Sequence, residues 1–128
     1  QRVQEEGQTF RNEVGKKIIP EFLTVIDDPT LSEFNNIPLN GYYLYDDEGV
    51  KAERVVVVED GKLINFLMSR KPFRKFLHSN GHGRMSSGYT PMSRMANFII
   101  KSKKEYPFKE LKKKLLEICN KKRWLSGI

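Results

Sequence analysis

The sequence predicts an α+β fold: an antiparallel β-meander with a leading helix, a long glycine-rich loop and a closing amphipathic helix. Three observations carry that expectation. From Gly41 to Leu67, two turn signals, Asp47-Glu48-Gly49 and Glu59-Asp60-Gly61-Lys62, punctuate runs rich in Tyr, Val, Ile, Phe and Leu. This is the pattern of strands joined by tight turns. From Ser79 to Asn97, Gly81, Gly83, Gly88 and Pro91 interrupt any regular element. Beyond them, Phe108, Leu111, Leu115 and Ile118 recur at intervals of three and four with lysines on the opposite face, which is the helical period.

At the start of the chain, Val3, Gly7, Phe10 and Val14 form one helical stripe, weakened by Gly7 and Gly15. No capping residue precedes Val3, so this lead-in reads as the middle of a larger element. Pro20 ends it, because proline disfavours helix at the residue before it. Glu21 to Ile26 is β-branched at Thr24, Val25 and Ile26 and reads as a strand. Asp27-Asp28-Pro29-Thr30 reads as a turn, in which Asp bonds nearby backbone and Pro presets φ. Leu31 to Asn40 is a loop with Phe34, Ile37 and Leu39 as anchors. In the first run of the meander, Tyr42 and Leu44 share one face and Tyr43 and Tyr45 the other. Alternation is lost in Val55-Val56-Val57-Val58, so that strand is expected to be central and covered on both faces. Ser69 to Phe76, with Arg70, Lys71, Arg74 and Lys75, is expected as a short helix. The stretch from Ser79 to Asn97 is long for a loop in a compact domain, and such loops are more often functional or mobile than mere connections. Phe98-Ile99-Ile100 reads as a short strand, and Pro107 suits the first position of the final helix.

A length of 128 residues suits one domain or part of one; residues 1–128 are read as a single partial domain. Apolar residues at 38% and charged residues at 30% give a globular balance. No apolar run approaches the roughly 20 residues of a membrane span, and no apolar leader argues for secretion. The single cysteine, Cys119, can form no internal disulfide and fits a reducing, cytoplasmic setting. The net charge of +7 belongs to one end. Lys101 to Arg123 holds ten Lys or Arg against three Glu, and the remainder holds 13 basic and 13 acidic residues.

Four blocks, in order, resemble the TldD/PmbA family of zinc-dependent peptidases, once labelled modulators of DNA gyrase. They are Val25-Ile26-Asp27-Asp28-Pro29-Thr30; Tyr45-Asp46-Asp47-Glu48-Gly49-Val50; Val58-Glu59-Asp60-Gly61-Lys62-Leu63; and Asn80-Gly81-His82-Gly83-Arg84 followed by Pro91, Arg94 and Asn97. The helix Leu111 to Cys119 sits where that family has a helix. The resemblance implies a parent with an HExxxH helix, whose two histidines bind zinc and whose glutamate is the general base, and a further cysteine ligand downstream. Ligands four residues apart share a helix face, and zinc brings the pKa of a bound water toward neutrality. The motif is absent from this chain; by family spacing it lies just upstream of Gln1, and the cysteine segment lies beyond Ile128. The resemblance therefore implies an internal fragment with no catalytic or metal-binding residue and no cofactor of its own, inactive alone, with zinc held in the parent. Implied partners are a peptide substrate and the remainder of the parent chain, with a homo-oligomer open.

The substrate-binding candidates are His82, Gly83, Arg84 and Arg94. His82, between two glycines, is read either as a loop residue near a bound peptide or as a structural hydrogen-bond donor. Arg84 and Arg94 flank the loop; they hold a substrate carboxylate or carbonyls, or they pin the loop to the domain. His78 and His82 mimic a zinc pair in spacing, but Asn80, Gly81 and Gly83 break the helix such a pair needs. Asp46, Asp47 and Glu48 match no EF-hand spacing and read as a hairpin turn rather than a calcium site. Cys119 reads as a buried, inert thiol, with no histidine near in sequence to activate it.

Two rivals remain. One is a basic nucleic-acid-binding module using the Lys101–Arg123 segment, with Lys109, Lys112, Lys113 and Lys114 on one helix face; no recognition motif accompanies it, and such faces are usually solvated. A steep salt dependence of DNA affinity would mark it. The other is a catalytically silent relative that mediates assembly.

Overall fold

The computed structural model describes residues 10–121. Their elements are β1 (Leu23–Asp27), β2 (Glu33–Phe34), β3 (Ile37–Pro38), β4 (Val55–Glu59), β5 (Lys62–Leu63), β6 (Gly83–Arg84), β7 (Met92–Ser93), β8 (Phe98–Ser102) and α1 (Phe108–Lys121). Antiparallel sheets followed by one helix among the described residues make the fold α+β, as the sequence predicts. The main sheet has the order β5-β4-β1-β8; β2-β3 and β6-β7 are separate two-residue ladders.

The β4-β5 hairpin follows from its turn. Asp60 and Gly61 both have positive φ, at 47° and 79°, the two-residue geometry whose twist matches the strands it joins. Asn35 and Asn36, at 52° and 62°, close β2-β3 in the same way. β4 lies between β1 and β5, the central place expected of the valine run. Its lost alternation has a further cause. Val25 pairs with Val58 but Ile26 pairs with Val56, so Val57 is an extra residue, a bulge that breaks the two-residue period. Val25, Val58 and Leu63 form the buried cluster, and Val14, Ile18, Ile19, Val57 and Phe66 pack against it.

Several expectations are corrected. The first run of the meander, Tyr42 to Tyr45, is not a strand of the main sheet; it makes only a bridge from Tyr45 to Lys51, and β1 takes the place beside β4. The Asp46 carboxylate accepts hydrogen bonds from the amides of Glu48 and Val50, which turns the chain where a strand would have continued. Of the leading helix, Val3 and Gly7 lie outside the described residues, and Phe10 to Lys17 form turns. That stretch instead covers the β5 edge: the Gly15 amide donates to the Leu63 carbonyl at 2.7 Å and the Ile18 amide to the Gly61 carbonyl at 2.8 Å. Ser69 to Phe76 is not a helix. The amides and carbonyls of Phe73 and Phe76 bond reciprocally at 2.9 Å, and both rings meet Phe66 edge-on at 5.4 and 5.3 Å. Phe34 and Ile37 are exposed rather than anchoring; Leu39 is half-buried.

The β8 edge and α1 are different. β8 pairs only with β1, and Ile100 is 63% exposed. No described strand packs against α1; Phe108, Leu111, Leu115 and Ile118 all face solvent, with Phe108 79% exposed. Cys119 is half-buried, not buried as expected. Unpaired strand edges and apolar patches promote pairing between chains. This 128-residue chain, isolated, is therefore expected to self-associate. Light scattering at rising concentration should show a growing mass, and a stable monomer throughout would contradict this.

Candidate functional site

The blocks read from the sequence converge in space. The glycine-rich loop is held down against β1 and the Asp46-Asp47 turn by side chains distant in the chain. Asn80 begins the contact. Its Oδ1 accepts from the Met68 amide at 2.7 Å and its Nδ2 donates to the Phe66 carbonyl at 2.9 Å, so its orientation is fixed. The Ser79 hydroxyl donates to the Met68 carbonyl and accepts from the Gly81 amide. The Tyr43 hydroxyl donates to the Gly81 carbonyl at 2.9 Å. Gly81 has φ of 75°, and a Cβ there would run into the backbone of Lys51 and Ala52.

His82 is completely buried, as is Asp27. Its Nε2 lies 3.2 Å from Asp27 Oδ1. Its Nδ1 lies 3.0 Å from both the Asn80 carbonyl and Asn80 Oδ1. A carbonyl can only accept, and Asn80 Oδ1 already accepts from Met68. Nδ1 therefore donates, and Nε2 is paired with the Asp27 carboxyl. Both Asp27 oxygens also accept from the Ala96 amide at 3.1 Å. Neither ring nitrogen is left for a metal. His78 is exposed. Among the described residues, no group of three His, Cys, Asp or Glu could hold a metal ion; the residues present do not fit one.

The acidic cluster builds the floor. Asp46, buried, accepts from the Gly83 amide at 2.9 Å through Oδ2. The Gly83 carbonyl accepts from the Asp47 amide at 2.9 Å. A Cβ on Gly83 would overlap the Glu48 carboxylate and crowd that of Asp46, so a side chain there would have to push Glu48 aside. Asp47 Oδ2 accepts from Arg84 Nε at 3.1 Å and from the Met85 amide at 2.8 Å. The Met85 amide, and then Arg84, hold the Asp47 carboxyl below its usual range. Burial pushes the Tyr43 hydroxyl up, against the pull of Arg84, whose guanidinium lies 4.4 Å from the Tyr43 ring centroid. These carboxylates serve backbone amides and Arg84, which is the turn-building role.

The sign of the Asp47 effect sets a pH dependence. A carboxyl with a lowered folded pKa contributes stability above its unfolded value, and that contribution is lost as pH falls through the folded one. Acid should therefore release Arg84 and the Met85 amide only below the pH at which an ordinary aspartate is protonated. We expect the hydrogen-exchange protection of Met85, corrected for intrinsic rates, to fall below the ordinary aspartate range. Asp47→Ala should have low protection at every pH; unchanged protection in that variant would contradict the account.

The structure brings two of the four predicted site residues to the surface together. Arg84 and Arg94 line one concavity of about 280 Å³ with Met85, Ser86, Tyr89, Thr90 and Met92. The Arg94 amide donates to the His82 carbonyl at 3.0 Å, continuing the register in which Arg84 pairs with Met92 and Gly83 with Ser93. His82 and Gly83 lie beneath, buried. Sequence reasoning missed Asp27, Tyr43, Asn80 and Asn97 as determinants. Asn97, buried, donates to the Asp28 and Leu31 carbonyls and accepts from the Gly41 amide. All but Tyr43 stood inside the quoted blocks, which was the available signal.

Known proteins place the family and the fold. The family model for the PmbA/TldA metallopeptidase C-terminal domain matches residues 1–118. A metalloprotease from Archaeoglobus fulgidus is 39% identical over 118 residues, 92% of this chain and 25% of its own length. One from Methanothermobacter thermautotrophicus is 41% identical over 93 residues, 72% of this chain and 19% of its own. The crystal structure of TldE from Thermococcus kodakarensis is similar in fold, with a TM-score of 0.64 at 23% identity, covering 86% of this chain and 24% of that one. The chain thus spans a quarter or less of the length of these relatives.

Proposed function

The chain belongs to the PmbA/TldD metallopeptidase family, and on that premise we propose that it forms the frame and one wall of a peptide cleft in a larger zinc-dependent peptidase. The reactive parts come from outside the described residues. The metal-binding helix and the general base are supplied by other parts of the parent, and this chain alone turns nothing over. His82 and Gly83 position the wall from below. Arg84 and Arg94 face the peptide. The setting proposed is cytoplasmic.

The observation that supports this best is the contrast between the loop's two sides. Beneath, every carboxylate and imidazole is engaged; above, two arginines and three hydroxyl side chains line an open concavity. A loop rigid below and polar above suits binding rather than mere connection.

The test is hydrolysis of peptides by the full-length gene product and by this chain. The expected result is turnover by the full-length protein, lost to a chelator and restored by zinc, with none from the chain. Turnover by the chain, or full-length activity indifferent to chelation, would overturn the reading. The nucleic-acid alternative rests on the exposed lysines of α1. A DNA affinity falling steeply with salt and lost to Lys→Ala changes at 109, 112 and 113 would favour it.

A further inference from the structure

We propose that Arg84 and Arg94 together bind a carboxylate group of the peptide. This deepens the reading above and rests on its premise that the loop faces a peptide.

Three features support it. The first is the orientation of Arg84. Its Nε is engaged by Asp47 at 3.1 Å and its plane lies over Tyr43 at 4.4 Å. These contacts hold the guanidinium still while its two terminal nitrogens remain for a ligand. A guanidinium held in advance loses less freedom on binding and can make two parallel bonds to a carboxylate. The second is Arg94. It forms no ion pair among the described residues, so its charge is not neutralised within the chain. The third is placement. Arg94 lies two residues beyond Met92, the partner of Arg84, and both arginines line the same concavity. Two cations therefore line one concavity that no carboxylate of the described residues lines, and Asp47 beside it is taken up by Arg84 and the Met85 amide. The Arg94 charge, unpaired among the described residues, is complementary to a single carboxylate. Met85 and Met92 supply apolar surface beside it, suited to the stem that carries the group.

A peptide presents a carboxylate either at its C-terminus or on an acidic side chain, and the experiment separates the two. Calorimetric titrations of the full-length protein would use three acetylated tripeptides. One has leucine, glycine and leucine with a free C-terminus. The second is its C-terminal amide. The third is an amide with glutamate at the central position. The proposal expects the neutral amide to bind about tenfold or more weaker than a carboxylate-bearing peptide, and Arg94→Ala to abolish that difference. Arg94→Lys, which keeps charge but not the paired geometry, should recover only part. Preference for the free C-terminus identifies the chain end as the source; preference for the glutamate amide identifies the side chain; both support the proposal. Equal binding of all three, unmoved by Arg94→Ala, would overturn it while leaving the peptide-wall reading in place. No binding of any peptide would overturn both.

Discussion

Replacing His82 by alanine should cost about 3–5 kcal/mol of stability, because it leaves Asp27 buried without its partner. That is a large part of the roughly 5–15 kcal/mol that holds a domain together. Both side chains are wholly buried, so water cannot replace the lost contact. The Nε2–Oδ1 distance of 3.2 Å and the two Nδ1 contacts at 3.0 Å are all lost together. Asp27→Ala should cost a similar amount by stranding the buried His82 ring without its partner. The double variant should cost clearly less than the two single losses combined, since neither polar side chain is then left buried without its partner. Urea unfolding of the four proteins measures this. Additive losses would mean that the pair does not act as a unit.

The second large effect is expected at Gly81. Its φ of 75° is strained for any residue with a Cβ, and the added carbon would meet backbone of Lys51 and Ala52. Backbone cannot swing aside as a side chain can. Strain of about 1–3 kcal/mol and overpacking of about 1–3 kcal/mol act together, so Gly81→Ala should lose about 3 kcal/mol. Gly88 is the internal control. Its φ is 80° but nothing lies within 4 Å of its would-be Cβ, so Gly88→Ala should show the strain alone, about 1 kcal/mol. Equal losses at the two positions would refute the close approach between the loop and the Lys51 segment.

Much of this architecture was legible locally. Asp60-Gly61 announced its hairpin because two consecutive positive φ angles select those residues. The Phe108, Leu111, Leu115, Ile118 stripe announced α1, although what covers that stripe lies outside the reach of periodicity. Failures arose where a side chain outcompeted local preference. Tyr42 to Tyr45 has strand composition, but the Asp46 carboxylate captures the amides that follow it. Ser69 to Phe76 could have been helical; the Phe66 ring instead clamps Phe73 and Phe76 into a turn. The site was half legible. Glycine at 81 and 83 signalled a loop of close approaches. Nothing local links His82 to Asp27, 55 positions away, or says that His82 points down while Arg84 and Arg94 line the concavity. Such pairings are made by the sheet, which brings the end of β1 beneath the loop.

The most direct test is a structure of the full-length protein with an uncleaved peptide bound. The account predicts the peptide lying against Arg84 and Arg94, with His82 still closed on Asp27 and the metal held entirely by residues outside 10–121. A peptide bound away from that concavity, or a metal ligated by His82, would contradict it.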